Sequence, residues 1–200
     1  MKKTIYKKYI KILVCFLEFL IKVYDKDTWR HIKRIKQYTE IIVLDLGCPE
    51  KFISEILLTS SLHDIGKILI PKKILNKKGR LTEKEFIKMK RHTYYGERIL
   101  FYLGFGKIPR NIALFHHEYY NGKGYPLELE GEVIPIEARI IALVDVYDAL
   151  RQKRCYKKSF SHEEAIEIIK NKAENQFDKK IVEIFLKNED IFNDIFNKQE

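Results

Sequence analysis

The stretch FHHEYYNGKGYP, residues 115–126, decides how this chain folds. It closes the apolar run NIALF at 111–115 with two adjacent histidines, His116 and His117. Glu118 follows, and then a segment holding Gly122, Gly124, Pro126, Gly131 and Pro135. Glycine and proline at this density break helix and strand alike. The spacing therefore predicts a helix that ends at the paired histidines, a long loop over 118–135, and a new helix after Pro135. That helix, residues 136–151, contains RIIALVDVYDAL, a strongly apolar stretch with Asp145 inside it.

Outward from this point the pattern stays helical. Apolar residues recur at helical spacing, and no alternating strand pattern appears. Residues 27–46 read as a helix stopped by Gly47, a natural C-terminal cap. Pro49-Glu50 opens a helix towards His63, which Gly66 and Pro71 break. Thr82 with Glu85, and Ser161 with Glu164, are capping boxes for helices running to about Leu103 and over about 162–174. Pro109 begins the short helix before the histidines, and Asp178 starts a late one. Residues 188–200 are Asn-rich and read as a polar C-terminal tail. The fold expected is a single all-α domain.

The N-terminal segment MKKTIYKKYIKILVCFLEFLIK has a basic start and an apolar middle. Glu18 interrupts the apolar run, no small-residue cleavage site follows, and the run is too short to span a bilayer. Residues 1–24 are thus expected to form an apolar helix that packs on the domain. A membrane-surface helix or a homodimer contact is the alternative. The 200 residues carry a net charge of +10, with the lysines dispersed as on a solvated face. The same charge gives an anionic ligand a favourable potential. Three cysteines, Cys15, Cys48 and Cys155, lie far apart in no metal-like spacing. That excludes a disulfide framework, points to a reducing, cytoplasmic setting, and suggests buried small residues for at least two of them.

Six histidines remain to be explained. His162, in the first turn after a capping serine, reads as exposed. The others are less ordinary. His63 and Asp64 end the apolar run ILLTSSL, and His116 and His117 end a similar one. Asp145 lies where an ionised carboxylate is costly unless it meets a partner or a metal. Taken singly, each is compatible with a hydrogen-bonded core residue. Together, neutral imidazoles and carboxylates form a donor set suited to transition metals. Neighbouring residues on a helix point about 100° apart. His63-Asp64 and His116-His117 are therefore each expected to fork, one group to each of two ions.

These segments resemble a known family. HDIGK at 63–67 is similar to the signature of the HD phosphohydrolase superfamily, and HHEYYNGKGYP at 116–126 to the second signature of its HD-GYP branch. DKDTWRHIKRI at 25–35 resembles the upstream metal-binding helix, and KMKRHTYYGERIL at 88–100 the H-x-x-x-G element with His92 and Gly96. IPIEARIIALVDVYDAL at 134–150 and RCYKKSFSHEEA at 154–165 resemble the segments after the loop. The resemblance spans about residues 16–187 and implies a compact multi-helix HD-domain bundle, a metal centre in its core and an extended GYP loop. It makes residues 25–187 the catalytic domain.

The resemblance further implies roles, residue by residue. His31, His63, Asp64, His92, His116, His117 and Asp145 fall where the family places metal ligands, with Asp64 bridging. Asp27 falls where some members support a third metal; it also suits a helix N-cap. Two or three divalent ions, iron or manganese, are implied. Lys67 falls where the family faces the substrate phosphate, so Asp64 and Lys67 are the implied catalytic pair. Gly124 and Tyr125 border the substrate, and Arg154 and Lys157 grip phosphate or guanine. After DVYDAL the chain reads RQKR at 151–154, so the pocket loop is expected to be basic. Arg34 stands between a structural ion pair and a phosphate contact. Glu118 is expected to hold a histidine's second ring nitrogen.

The activity implied is metal-dependent hydrolysis of cyclic di-GMP to pGpG or GMP. The partner is a cyclic dinucleotide, with no nucleic acid partner and no transmembrane segment. A module that binds cyclic di-GMP without cutting it, and a hydrolase of another cyclic dinucleotide or phosphate ester, are the alternatives.

Overall fold

The computed structural model describes residues 2–24, 28–152 and 159–199. The described residues are helical throughout, with two isolated β-bridges and no strand. The helices are α1 (Lys2–Tyr24), α2 (Thr28–Asp45), α3 (Glu50–Thr59), α4 (Lys72–Leu75), α5 (Glu83–Lys90), α6 (His92–Tyr102), α7 (Lys107–Phe115), α8 (Ile136–Arg151), α9 (His162–Lys170), α10 (Lys179–Lys187) and α11 (Glu189–Asn197). Both capping boxes form: Thr82 and Ser161 accept from the backbone N–H of Glu85 and Glu164, whose carboxylates reach back. Gly47 takes φ +66°, a left-handed conformation that costs glycine nothing, and stops α2.

Two apolar clusters hold the bundle. The larger joins α2, α8, α10 and α11 around Tyr38, Tyr147, Phe185 and Phe192. Tyr38 and Phe192 stack with ring centroids 4.6 Å apart, and Phe185 meets Phe192 edge-on at 4.9 Å. The smaller joins α1 to the other end of the molecule. Ile10, Val14, Leu17 and Ile21 of α1 pack on Ile32, Leu62, Ile65, Leu100 and Phe105. The Tyr6 hydroxyl donates to the Gly104 carbonyl at 2.7 Å and ties α1 to the turn after α6. The inner face of α1 thus belongs to the smaller apolar cluster. No helix of the described residues is long and apolar enough to cross a membrane.

Several details differ from the sequence reading. Residues 189–197 are a helix, not a tail, because Phe192 enters the larger cluster and Phe196, on the same face, is buried against Arg34 and Arg151. The helix expected to run on to Leu103 is divided at Arg91, so that His92 opens α6. The helix after Ser161 ends at Lys170. Cys15 is exposed and Cys48 half-buried against the larger cluster; Cys155 lies outside the described residues. His162 is half-buried, with Nδ1 3.0 Å from the Tyr147 hydroxyl.

Candidate metal centre

α2, the chain between α3 and α4, α6, α7 and α8 converge at one point. Helical order loosens there: α3 passes into a 3-10 turn over Ser60–Leu62, and a second follows over Ile65–Leu69. His63 and Asp64 sit between the two turns. Gly66 then lets the second turn lie directly on the start of α6. A Cβ on Gly66 would fall 1.9 Å from the His92 carbonyl oxygen and 2.5 Å from the Gly96 nitrogen. Both are backbone atoms that cannot swing aside. This explains the pairing of HDIGK with H-x-x-x-G: Gly66 and Gly96 are the contact that sets His92 opposite Asp64. Gly66→Ala is expected to cost about 1–3 kcal/mol, the usual penalty of overpacking, and to lower metal content as His92 is pushed off. Thermal melts and metal analysis of the variant check this.

Two groups of donor atoms result. Asp64, His92, His116 and His117 form one, and His31, His63 and Asp145 the other, each with its ligand atoms within 4.8 Å of one another. In the first, His92 Nε2 lies 3.4 Å and His116 Nε2 3.7 Å from Asp64 Oδ1. In the second, His31 Nε2 lies 3.4 Å from His63 Nε2 and 3.5 Å from Asp145 Oδ1. His63 Nε2 lies 3.4 Å from Asp64 Oδ2, so Asp64 faces both groups.

The other ring nitrogens of four of the five histidines are spoken for. His63 Nδ1 donates to the Ser60 carbonyl at 2.9 Å, His92 Nδ1 to Met89 at 2.8 Å, and His116 Nδ1 to Ile112 at 2.9 Å. His31 Nδ1 donates to Asp148 Oδ2 at 2.7 Å. Each bond places the ring proton on Nδ1 and turns the Nε2 lone pair into the cluster. Burial pushes the His92 imidazole down to about 3 and holds His117 well below the ordinary value, so both stay neutral. Burial also opposes charge on His63, yet the facing carboxylates of Asp64 and Asp145 raise its pKa. The cluster thus calls for positive charge at its centre. Asp64 Oδ1, His92 Nε2 and His116 Nε2 are buried without a hydrogen-bond partner. Buried lone pairs converging without a donor are costly, and a divalent cation satisfies them. The residues present fit a metal site.

Lys67 stands beside it, with Nζ 2.5 Å from Asp64 Oδ2. Burial makes the Asp64 charge expensive, but Lys67 and His63 hold its carboxyl well below the usual range. The GYP loop covers the far side. Gly124 lies on the backbone at 118–119, where a Cβ would come 2.2 Å from the Tyr119 nitrogen. The Tyr125 ring rests on His117, centroids 4.8 Å apart. Burial pushes the Tyr125 hydroxyl pKa up, so it remains a neutral donor.

Four expectations are revised. His116 and His117 do not fork between two groups; both face the group of Asp64. Helix α7 ends at Phe115, so the 100° offset within a helix no longer governs His117. His63 and Asp64 do part, as expected of them. Glu118 does not hold a histidine. Its buried carboxylate accepts the Leu127 N–H at 2.7 Å and the Leu129 N–H at 3.2 Å, pinning the GYP loop. Arg34 is a structural ion pair: its Nε reaches Asp148 Oδ1 at 2.5 Å and its Nη2 reaches Oδ2 at 3.0 Å. Within RQKR, Arg151 is buried and turns to the Tyr147 hydroxyl and Asn193, while Gln152 bonds Asp148. Asp148 is the residue the sequence reading missed. Its one signal is its position three residues after Asp145, on the same face of α8. Asp27, Arg154 and Lys157 lie outside the described residues.

Glu118→Ala is expected to free the loop, since the Leu127 and Leu129 N–H donors lose a charged acceptor at about 1–3 kcal/mol. On the proposed substrate this should appear mainly as a raised KM, with kcat/KM about 10–100-fold lower. Steady-state kinetics of the variant measure it.

The HD domain family model matches residues 16–181. The chain belongs to the HD domain family, and its GYP loop marks the HD-GYP branch. It is 39% identical over 196 residues to a protein of Vibrio cholerae serotype O1 named a cyclic di-GMP phosphodiesterase, covering 90% of this chain and 40% of that one. To a protein of the same name from Thermotoga maritima it is 37% identical over 199 residues, covering 98% and 54%. It is also 36% identical over 184 residues to 3'3'-cGAMP-specific phosphodiesterase 2 of Vibrio cholerae, covering 91% and 35%. The chain spans about half or less of the length of these relatives. The fold matches that of Bd1817, an HDG"Y"P protein from Bdellovibrio bacteriovorus (TM-score 0.65, 18% identity, 94% of this chain and 61% of that one). It also matches the HD domain of Listeria monocytogenes PgpH bound to cyclic-di-AMP (TM-score 0.58, 21% identity, 92% of each).

Proposed function

We propose that this chain is a metal-dependent phosphodiesterase that hydrolyses cyclic di-GMP to pGpG, GMP or both, in the cytoplasm. The observation that carries the reading is Asp64, a half-buried carboxylate facing two groups of inward lone pairs with an ammonium at its side. The relatives named cyclic di-GMP phosphodiesterases supply the substrate class. In this reading residues 25–187 are the catalytic domain. His31, His63 and Asp145 would hold one ion and His92, His116 and His117 the other, with Asp64 available to either. The ions are iron or manganese, and Asp27 would support a third. When bound, such ions acidify water and neutralise charge on phosphate oxygens.

The chain's own residues do the rest. Lys67 offsets charge that develops on the phosphate as the diester is attacked. Tyr125 and Gly124 border the nucleotide, with the loop held in place by Glu118. Arg154 and Lys157 take its phosphate or guanine edge; arginine's planar fork suits either. The dispersed basic surface favours approach of a dianionic ligand.

A second reading, a different cyclic dinucleotide as substrate, is favoured by the relative named 3'3'-cGAMP-specific. Parallel incubations with cyclic di-GMP, 3'3'-cGAMP and cyclic di-AMP, followed by chromatography, separate the two. We expect cyclic di-GMP to be consumed fastest. Faster loss of another dinucleotide would overturn the assignment of substrate, and binding without turnover of any would overturn the assignment as an enzyme.

A further inference from the structure

α1 carries two apolar seams. The inward one is Ile10, Val14, Leu17 and Ile21, already packed on the domain. The outward one is Ile5, Tyr9, Ile12, Phe16, Phe19 and Val23, and every member is at least 50% exposed. Its spacing is four, three, four, three, four residues, the 3.5-residue period of a coiled coil. In that register Tyr9, Phe16 and Val23 are a positions and Ile5, Ile12 and Phe19 are d positions. No charged residue interrupts the seam between residues 5 and 23. Single exposed apolar side chains are unremarkable, but an aligned row of six large ones marks a contact surface.

We infer that this seam pairs with the same seam of a second copy of the chain, as a parallel two-stranded coiled coil about a two-fold axis. Three features select this occupant. A strict a/d stripe is narrow and matched to one facing helix, whereas a helix lying in a lipid surface presents a broader apolar face. The flanking charges choose the parallel pairing. It sets Lys8 against Leu13, and Cys15 against Leu20, of the other copy, with no like-charged pair. The antiparallel pairing would bring Lys8 to Lys22. The size also suffices: six large side chains from each copy, with their flanks, bury on the order of 1,200 Å² in all, the lower end of specific interfaces.

The position gives the seam a consequence. The inner face of α1 rests on Leu62 and Ile65, the apolar residues that flank His63 and Asp64. A helix clamped between a second copy and those two residues would hold the metal centre's entry turn in place.

Sedimentation velocity of the full chain tests the proposal. Wild type should sediment as a dimer at about 10 µM, and Ile12→Glu/Phe16→Glu as a monomer, its dissociation constant raised at least ~100-fold. Lys11→Glu, on the same helix but off the seam, should sediment as wild type. Both side chains of the double variant point outward, and unchanged helical circular dichroism would show that it folds. As a check independent of that variant, Ile12→Cys in a chain whose three cysteines are replaced by serine should form an intermolecular disulfide on oxidation, as d positions meet across a parallel pair. A wild-type monomer at about 100 µM, or a dimer indifferent to the double variant, would overturn the inference. So would a monomer that co-sediments with phosphatidylserine vesicles, which would assign the seam to lipid. None of these readouts depends on catalysis.

Discussion

Asp64→Asn is expected to lower turnover of cyclic di-GMP by at least ~10³-fold while leaving the chain folded, the scale set by losing several kcal/mol of transition-state stabilisation. The carboxylate is the one group that faces both donor sets, with Oδ1 towards His92 and His116 and Oδ2 towards His63 and Lys67. Asparagine keeps the shape but loses the charge. Its amide hydrogens would also confront either the Lys67 ammonium or cationic ions. Few contacts outside the cluster change, so the far-ultraviolet circular dichroism and the melting profile should stay close to wild type. His63→Ala is expected to act alike, through the other donor set. Assay of purified variants against cyclic di-GMP, with metal content measured on the same samples, checks both. Wild-type turnover in either would remove the cluster from the reaction.

Asp148→Ala should act through stability as well as activity. The Asp148 side chain is fully buried and bonds His31 Nδ1, both arms of the Arg34 fork, and Gln152. Burial resists its charge, but His31 and Arg34 lower its pKa below the usual carboxylate value. Alanine would take from the Arg34 guanidinium, itself 3% exposed, the carboxylate that its Nε and Nη2 grip. Breaking a buried pair from one side costs about 3–5 kcal/mol. For a chain of this length that lowers the melting temperature by on the order of 10 °C. His31 would also lose the bond that orients it, so the group with His63 and Asp145 should bind its ion more weakly. Arg34→Met/Asp148→Ala should recover part of the stability and none of the metal affinity, because it removes both charges of the buried pair but leaves the imidazole loose. Melts and metal titrations of the two variants separate these effects.

The sequence was most legible where one residue type does one local job. Thr82 with Glu85, Ser161 with Glu164 and Gly47 mark their helix ends because capping is a matter of a few adjacent atoms. His63, Asp64, His116, His117 and Asp145 stood out as candidate donors because they end or interrupt apolar runs, whereas His31 and His92 entered only through the family resemblance. What stayed hidden depends on contacts between distant segments. Asp148 is one more acid in a helix until α2 is laid against α8 and His31 meets it. Glu118 sits beside the histidines in sequence, yet its carboxylate turns to the loop nine and eleven residues on. The offset of His116 and His117 was misjudged because the helix stops one residue before them. α11 was masked by its asparagines, although Ile191, Phe192, Ile195 and Phe196 already carry helical spacing. Gly66 and Gly96 could each be read as a break or a small residue; only their contact shows that they are one feature.

In the proposed reaction, hydrolysis depends on ions held by the two donor groups. The most direct measurement pairs metal quantification with turnover in one preparation, purified without oxygen, stripped with a chelator and then reloaded stepwise with iron or manganese. Stripped protein should be inactive, and cyclic di-GMP turnover should rise with bound metal as the two groups fill, with at least two ions per chain at full activity. Turnover by metal-free protein, or full activity with neither group filled, would contradict it.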